Sequence, residues 1–437
     1  MRRFVFAGII ALIAISLRAQ DTSNIAIKDE IADVKGALEG LNESFLEVKS
    51  IVEALKKIKI SGYLQPQYQL ADQNGISSFA GGNFPANAKS RFAVRRGRVK
   101  VNYDNTLTQY VLQIDVTQSG VGIKDAYVSI REPWLNSFSL TGGVFDRPFG
   151  FEISYSSSSR ETPERTRLFQ TLFPGERELG AKIEFNQEDG PLSFLILKAG
   201  LFNGTGPTAA ENDNNKDFIG RVGVSLPFEE INLAVDAGAS AYIGKVRSVT
   251  RYVYEYNGSS AMKVDSSSVN IGGSFKRTYI GGDVQLYYDL PFLGGFSLRG
   301  EYIQGTQPGT SSSNSFYNST DSKAGLFSRK FNGYYINYIQ NIGDANQLVV
   351  KYDVFDPNTD VEGDQIGVKS SNLAAADIKY NTLGIGWIHH WDSNVKLILY
   401  YDIVKNEKVN AASTGSLASF KDDIKDNVLT FRIQYKF

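Results

Sequence analysis

Apolar and polar residues alternate with a period of two along most of the chain, from about residue 60 to the C terminus. In one clear run, Tyr110, Leu112 and Ile114 alternate with Gln113 and Asp115. Alternation over roughly ten residues predicts β-strands with one apolar and one polar face. The periodicity leaves open which face points inward, because a soluble β-sandwich would bury its apolar face.

The predicted strands number about sixteen, and single-chain bacterial outer-membrane barrels have an even number of strands. We place them at 59–71, 90–104, 107–118, 123–132, 138–147, 177–187, 192–203, 217–227, 231–243, 276–289, 296–305, 331–341, 346–356, 378–391, 394–403 and 427–437. Their connections alternate between short turns and long polar segments. The long segments include 204–216, 306–330, 357–377 and 404–426. Short turns at one rim and long loops at the other predict an all-β, antiparallel transmembrane β-barrel over residues 59–437.

A heptad pattern occupies the segment that precedes the first strand. Its apolar positions, separated alternately by four and three residues, are Ile27, Ile31, Val34, Leu38, Leu41, Phe45, Val48, Val52 and Leu55. So narrow an apolar stripe predicts a coiled coil over residues 20–58 that brings chains together, with a trimer as the expected assembly. The alternative is an amphipathic helix packed on the rest of the chain, although such helices usually have a wider apolar face.

The first residues have the pattern of a secretory signal peptide. Arg2 and Arg3 precede an apolar run over residues 4–17, and Ala19 offers a small residue for cleavage. We therefore predict a signal peptide at residues 1–19. The alternative is an N-terminal membrane anchor, which we disfavour because the run is shorter than the ~20 residues that span a bilayer.

Composition excludes several classes of function. With 46 Lys and Arg against 47 Asp and Glu, the net charge of −1 argues against a nucleic-acid partner, which would require a basic excess. The absence of cysteine removes disulfides, thiolate nucleophiles and Cys-ligated metal centres. The two histidines, His389 and His390, lie beside Trp387 and Trp391, a grouping more typical of a bilayer boundary than of a catalytic triad. We therefore expect neither an enzyme nor a cofactor.

One acidic run raises the question of a metal site. Asp356, Asn358, Asp360, Glu362 and Asp364 stand at alternate positions, a spacing that could attract calcium. The run lacks the glycine at the sixth place of an EF-hand loop. We interpret it as a solvated external loop and expect no bound metal.

Two motifs carry a resemblance to a known family. Residues 142–152 read GGVFDRPFGFE, and residues 173–180 read FPGERELG. Shorter matches lie at 92–99, 124–128 and 202–204. In this order the segments resemble the phosphate-selective porin O and P family, from about residue 60 to 225, and the strand pattern continues to the C terminus.

The resemblance implies a sixteen-stranded, trimeric porin in the outer membrane of a Gram-negative bacterium. It also implies that the third external loop folds into the lumen, and several family members prefer anions. The terminal Phe437 agrees, because a strand that ends on an aromatic residue is similar to the assembly signal of outer-membrane barrels. The predicted coiled coil would then lie in the periplasm. The expected partners are outer-membrane lipid, small anions and further copies of the chain.

Cations on the face opposite the apolar positions form the candidate anion pathway. In the strand at 90–104 these are Arg96, Arg98 and Lys100, and cations two residues apart offer an anion successive weak sites. On other strands the same face carries Arg131, Arg147, Lys198, Arg221 and Arg299. The resemblance adds the third-loop residues Arg160, Arg165 and Arg167. The predicted pathway is Arg96, Arg98, Lys100, Arg131, Arg147, Arg160, Arg165 and Arg167.

Acidic residues such as Asp115 and Asp125 share these faces, so the pattern departs from a strongly cationic pore and leaves phosphate selectivity open. The expected function is passive diffusion of small hydrophilic solutes with anions favoured and phosphate as one candidate. The alternative is a structural barrel that anchors the coiled coil or displays external loops, such as 244–275, to partners.

Overall fold

The computed structural model describes residues 28–290, 293–315, 317 and 324–437, together with the helical backbone of residues 2–27. By its internal contacts the chain divides into two compact units, Met1–Lys59 and Ile60–Phe437. Among the described residues, no helix combines the length and the apolar character needed to cross a bilayer.

The first unit is a single helix, α1 (Arg2–Lys56), whose apolar stripe is open to solvent. Leu41 is 67% exposed and Phe45 is 62% exposed, and the other heptad positions from Ile31 to Leu55 are also exposed. Helices gain most of their stability from burying an apolar face, so this stripe is an unused surface in the single chain. The predicted signal peptide, residues 1–19, lies outside the residues whose side chains are described.

The second unit is built from one sheet and contains a short helix, α2 (Arg167–Leu172). The strands are β1 (Ile58–Ala71), β2 (Ser90–Asn105), β3 (Thr108–Thr117), β4 (Gly120–Arg131), β5 (Phe138–Asp146), β6 (Arg177–Asn186), β7 (Leu195–Phe202), β8 (Asp217–Phe228), β9 (Leu233–Arg247), β10 (Val253–Tyr256), β11 (Met262–Asp265), β12 (Ser274–Tyr288), β13 (Phe296–Gly309), β14 (Leu326–Ile342), β15 (Asn346–Asp356), β16 (Tyr380–His390), β17 (Val395–Asn406) and β18 (Val428–Lys436).

The sheet closes on itself. Neighbouring strands pair antiparallel around the wall, β9 pairs with β12, and β1 pairs with both β2 and β18. The short strands β10 and β11 form a hairpin in the connection between β9 and β12, so sixteen strands make the barrel wall. The predicted sixteen-stranded antiparallel barrel is confirmed. A closed wall pairs its backbone groups between strands, as a lipid environment requires.

Side chains alternate across the wall with the apolar set facing outward. In β2, Val99 and Tyr103 are exposed on the outer surface, whereas Arg96 and Arg98 are buried on the lumen side. The arrangement is the inverse of a soluble sandwich and fits an apolar band against lipid. The structure therefore resolves the orientation that the periodicity left open.

Strand ends differ most from the sequence prediction on one side of the barrel. Strand β14 begins at Leu326 instead of residue 331, and β13 ends at Gly309 instead of residue 305. The added residues pair with each other, for example Thr306 with Lys330. The β13 extension carries no large apolar residue, and Leu326 and Phe327 of the β14 extension are buried against the external connections. Neither extension therefore shows the apolar alternation of a lipid-facing strand, and a search for that alternation misses them.

Gly62 lies at the seam of the barrel, where its backbone N and O each pair with Phe437 at 3.0 Å. A Cβ at this position would lie 2.3 Å from the Arg98 carbonyl O and 2.7 Å from the Phe437 ring. We expect Gly62→Val to lower the free energy of unfolding by about 1–3 kcal/mol, because the added valine side chain would overpack the seam. Urea unfolding in detergent, followed by the heat-sensitive shift in gel mobility, measures this change.

The matched control for Gly62→Val is Gly142→Val on β5, where an added Cβ meets no atom within 4 Å. Gly142→Val should leave the unfolding midpoint near that of the unmodified protein. Equal stabilities for the two variants would contradict the seam argument.

Candidate functional site

The connection between β5 and β6, residues 147–176, folds into the lumen; we call it the infolded loop. It reaches opposite parts of the wall. The backbone O of Ser157 accepts a hydrogen bond from Gln65 on β1, and Glu161 pairs with Arg299 on β13 at 2.9 Å. The structure thus places this loop where the family resemblance implied, and the loop determines which part of the lumen remains open.

The first hinge of the infolded loop is at Gly150, where φ is +62°. A Cβ there would lie 1.6 Å from Oε1 of Glu301 on β13. The Glu301 carboxylate accepts hydrogen bonds from the backbone N of Phe151 at 3.3 Å and of Glu152 at 3.2 Å. Only glycine permits both the left-handed conformation and this close approach. The glycine of the PFG sequence therefore turns the chain into the lumen.

The second hinge is at Gly175 and Glu176, both with positive φ. The Glu176 carboxylate pairs with Arg165 and Lys124 and lies 3.4 Å from Arg177. Burial by itself raises the pKa of Glu176, but the three cations hold the pKa well below its ordinary value of 4.5. At the FPGER sequence the chain thus returns to the barrel wall, and the ion pairs of Glu176 hold this turn in place. The two motifs that carry the family resemblance are the two hinges of the loop.

An apolar cluster fills one side of the lumen; we call it the apolar plug. Its buried members are Phe145, Phe149, Ile153, Leu168, Phe169, Leu172, Phe173, Phe202, Ile219, Tyr242, Tyr279, Ile303, Phe331, Tyr335 and Phe355. They come from the infolded loop and from β5, β7 to β9 and β12 to β15. Aromatic rings pack against one another within it; the ring centroids of Phe149 and Phe173, for example, lie 5.1 Å apart. Packing of this kind excludes water from that side.

On the other side of the lumen the infolded loop is held by charge. The Glu164 carboxylate accepts hydrogen bonds from Arg95 at 2.9 Å, from Arg96 at 2.7 Å and from Arg432 on β18 at 2.8 Å. Burial raises the pKa of Glu164, but the guanidinium groups of these three arginines outweigh burial and hold its pKa well below 4.5. Glu164 is therefore an anionic anchor between the loop, β2 and β18.

Two further cations lie next to this anchor. Arg160 donates through Nη2 to the Pro163 O at 3.1 Å, and Arg432 donates to the same oxygen at 2.8 Å. Lys396 on β17 donates to the Arg160 O at 3.0 Å. Neither Arg160 nor Lys396 forms a salt bridge within the described residues. We call Arg95, Arg96, Arg160, Lys396 and Arg432 the cation cluster.

A cavity of about 270 Å³ lies between the infolded loop and the wall; we call it the loop-side cavity. Five cations line it, namely Arg98, Lys100, Arg165, Arg177 and Lys436. Two acids, Asp125 and Asp146, share its lining with Ser154 to Ser158 of the loop. Cations therefore outnumber acids among the side chains that line this cavity.

Two predicted residues of β2 line the loop-side cavity. Arg98 pairs with Asp115 at 3.0 Å and contacts the Ser157 Oγ at 3.2 Å. The side chain of Lys100 has no hydrogen bond or ion pair within the described parts of the chain, and it is partly exposed. The third predicted residue of this strand, Arg96, is 4% exposed and belongs to the cation cluster. Of the three, Lys100 alone presents an unpaired charge to the cavity.

Arg131 and Arg147 lie in very different surroundings. Arg131 ends β4 beside a rim cavity of about 400 Å³, and its side chain lies 3.5 Å from Glu188 with 44% exposure. Arg147 pairs with Glu178 at 2.9 Å, and both side chains are fully buried. The first is accessible to a solute, whereas the second joins the ends of β5 and β6.

The remaining predicted residues of the infolded loop hold the loop itself. Arg165 donates to the backbone O of Glu152 at 2.8 Å and of Ile153 at 3.0 Å. Arg167 lies over the rings of Phe79 and Tyr380, with distances of 4.3 and 3.6 Å to the ring centroids. Cation–π contacts of this kind position a guanidinium group without neutralising it.

The additional lumen cations Lys198, Arg221 and Arg299 are all paired. Lys198 lies 3.3 Å from Glu184, Arg221 contacts Asp283, and Arg299 contacts Glu161. Opposite charges on β6, on β12 and in the infolded loop therefore cancel much of the positive charge that the alternation pattern displays. This pairing could not be read from any one strand alone.

Sequence reasoning missed a second inward loop, residues 72–89, between β1 and β2. Arg91 holds it by donating to the backbone O of Asn83 at 2.7 Å and of Gly82 at 2.8 Å. Its Phe79 O accepts from Gln170 of the infolded loop at 2.9 Å. The available signal was the group of large apolar residues, Ile76, Phe79 and Phe84, within a connection rich in Asn, Gly and Ser. Lys396, Arg432 and Glu164 were also missed as members of one site.

The histidines and the acidic run have ordinary surroundings. His389 contacts Asn346 at 2.9 Å and His390 contacts Gln347 at 3.3 Å, both across the short turn side of the barrel. In the acidic run, Asp360 lies 3.1 Å from Lys330. The described residues contain no group of three or more side chains arranged to hold a metal ion.

Comparisons with known proteins agree with this geometry. The family model described as phosphate-selective porin O and P matches residues 67–437. Among solved structures, an anion-selective porin from Comamonas acidovorans is 13% identical, with a TM-score of 0.54, and covers 87% of this chain and 99% of its own.

Two further structures have similar folds. Pseudomonas putida OprB is 10% identical with a TM-score of 0.58, over 88% of this chain and 96% of its own. The outer-membrane channel DcaP of Acinetobacter baumannii is 12% identical with a TM-score of 0.52, over 87% of this chain and 97% of its own. At these identities the structural likeness establishes the fold. Curated protein sequences contain no match.

Replacing Gly150 with Ala should displace the first hinge, because the added Cβ would collide with Glu301. We expect a changed and noisier single-channel conductance in planar bilayers, together with a stability loss of about 1–3 kcal/mol. Gly175→Ala is the matched control, since Gly175 also has positive φ but an added Cβ meets no atom within 4 Å. Equal effects of the two variants would show that backbone strain, and not the Glu301 contact, governs the hinge.

The infolded loop should stay anchored in mildly acidic solution. The pKa values of Glu164 and Glu176 are lowered in the folded chain, so their contribution to stability is complete above 4.5 and is lost as pH falls through the depressed values. Single-channel conductance should therefore hold a steady open level from neutral pH to 4.5 and become unstable only at lower pH. A loss of the steady level well above pH 4.5 would contradict this assignment.

Proposed function

The chain belongs to the phosphate-selective porin O and P family and is an outer-membrane porin, and we propose that its pore favours small anions. The loop-side cavity carries this proposal, because five cations line it against two acids. A narrow space with excess positive charge raises the local concentration of anions and lowers that of cations. Passive diffusion requires no further chemistry from the side chains.

The pairing of the cations indicates weak and successive sites. Arg98 is partly neutralised by Asp115, and Arg177 by Asp125 at 2.8 Å, whereas Lys100 remains unpaired. Conduction requires that a solute bind well enough to enter and weakly enough to leave. We therefore propose small inorganic and carboxylate anions as solutes, with phosphate among them. Arg98, Lys100 and Arg131 are the predicted pathway residues that line a cavity from the wall.

We also propose that α1 assembles a homotrimer through a coiled coil on the periplasmic side. The apolar stripe of α1 is exposed along its described length, and burying it between copies would remove it from water. The short turns at one rim support the periplasmic assignment, because outer-membrane barrels carry their short connections there.

The anion preference is tested by zero-current potential across a KCl gradient in a planar bilayer. The unmodified protein should give the sign for chloride permeation, and Lys100→Gln should move the potential toward zero. Lys408→Gln is the matched control and should leave the potential unchanged, because Lys408 carries the same charge but is 70% exposed, lies 3.4 Å from Asp422 and lines neither cavity. A cation-selective potential would reject the anion proposal, and an absence of conductance from folded protein would favour the structural-barrel alternative.

The coiled coil is tested with the full-length protein. Leu41→Asp should lower the melting temperature of the helical circular dichroism signal, because it places a charge in the apolar seam. Leu46→Asp is the control, since Leu46 is 54% exposed but lies outside the heptad positions. Equal melting curves for both variants would indicate that the seam has no partner helix.

A further inference from the structure

Three cations lie side by side on the outer face of the barrel wall, at the end that carries the long connections. Lys245 and Arg247 lie at the end of β9, and Lys276 lies at the start of β12. All three side chains are exposed, and we call them the rim patch. Outer-membrane barrels direct their long connections to the cell exterior, so the rim patch lies on the side of the outer leaflet.

Strand pairing brings the three charges together. Lys245 is the direct partner of Lys276, and Arg247 is the direct partner of Ser274. Directly opposed residues of antiparallel strands have Cβ atoms about 5 Å apart, and Arg247 is a diagonal neighbour of Lys276 at roughly 7–8 Å. Like charges in this arrangement destabilise a sheet. The two lysines therefore repel each other unless an anion lies between them.

No acid of the chain pairs with the rim patch within the ranges that the structure describes. The side chains of Lys245 and Lys276 have neither a hydrogen bond nor an ion pair with any described residue. Arg247 donates to the backbone O of Asn212 at 3.4 Å. The connection that contains Asn212 also carries Glu211, which pairs with Lys216 at 2.7 Å. The charge of the rim patch is thus available to a partner outside the chain.

The rim patch borders the apolar band of the wall. Ile243 precedes Lys245 by two residues on the same outward face, and both Ile243 and Ile280 on β12 are 58% exposed. Two residues along a strand span about 7 Å. Lysine can lay its apolar stem along such a surface and keep its charge in the adjoining polar layer. The three charges therefore lie at the level of lipid headgroups.

We propose that the rim patch binds the phosphate groups of a lipid in the outer leaflet of the outer membrane. A phosphate between Lys245 and Lys276 replaces their repulsion with charge-assisted hydrogen bonds, and the planar guanidinium group of Arg247 suits two phosphate oxygens at once. The acyl chains of the same lipid lie over Ile243 and Ile280. The proposal rests on the outer-membrane placement of the barrel and is independent of the solute that the lumen conducts.

The position of the rim patch favours a lipid over a free ion. Its three side chains are exposed, so water competes for every donor, and an isolated ion pair on such a surface gains little. The acyl chains of a lipid hold its phosphates at the boundary and so raise their effective concentration beside the cations.

The test measures lipid binding to the refolded full-length protein by native mass spectrometry. The probe is lipid A that carries its phosphate groups. Replacing both lysines, by Lys245→Gln with Lys276→Gln, should raise the Kd for lipid A about tenfold or more, because each basic residue near an anionic lipid surface adds to binding. Lys245→Arg with Lys276→Arg preserves the charges and should leave the Kd near that of the unmodified protein.

The matched control is Lys369→Gln with Lys405→Gln, which changes the net charge equally. Lys405 is exposed at the external end of β17, where it lies opposite Asn381, and Lys369 is exposed in the connection between β15 and β16. This control should leave the Kd unchanged. Equal losses of affinity in the two glutamine double variants would overturn the proposal, because net charge alone would then explain binding.

Two further lipids test the chemistry of the partner. Lipid A from which a phosphatase has removed the phosphates should bind the unmodified protein as weakly as intact lipid A binds the Lys245→Gln, Lys276→Gln variant. Phosphatidylglycerol should also bind more weakly than intact lipid A. If either lipid bound as tightly as intact lipid A, the rim patch would not be a site for phosphates of an outer-leaflet lipid.

Thermal unfolding in detergent separates binding from folding. Without lipid, the Lys245→Gln, Lys276→Gln variant should be at least as stable as the unmodified protein, since it lacks the like-charge pair. Lipid A should raise the unfolding temperature of the unmodified protein alone, and inorganic phosphate at the same concentration should raise neither. An equal rise with inorganic phosphate would indicate an adventitious ion only, and a variant that is less stable without lipid would indicate a partner within the chain. Either result would reject the proposal.

Discussion

A backbone that crosses lipid has no water to satisfy its amide and carbonyl groups, and this constraint determines the rest of the structure. The wall must close, as it does where Gly62 pairs with Phe437 and β1 pairs with β18. Along each strand of the closed wall, successive side chains then point alternately outward to lipid and inward to the lumen. The polar side chains that a soluble protein would place on its surface are therefore concentrated in the lumen.

This concentration gives the inward charges two competing roles. Pairs such as Arg147 with Glu178 and Arg299 with Glu161 are buried and hold strands and loop together. A permeating ion instead requires charge that water can reach, as at Lys100 beside the loop-side cavity. Since pairing neutralises most cations, only a small part of the charge on the lumen face remains to select solutes.

The fold could be predicted almost completely from the sequence, because period-two alternation and the unequal connections follow directly from the bilayer. The candidate site could be predicted only in part. Alternation correctly directed Arg96 and Arg98 away from lipid, yet Glu164 and Arg432, far apart in the chain, complete the site of Arg96. Partners at such separations are set by the three-dimensional closure of the wall and by the path of the infolded loop, and neither leaves a local pattern.

The apolar plug has a consequence for how such a protein can vary. Because Phe169, Tyr279, Phe331 and their neighbours fill one side of the lumen, the loop-side cavity is displaced toward β1 to β4. Substitutions on the plug side change mainly packing, whereas those on β1 to β4 change mainly the electric field that a solute meets. Packing stability and solute preference therefore depend mainly on different parts of the barrel wall. Solute preference can change during evolution without loss of the barrel.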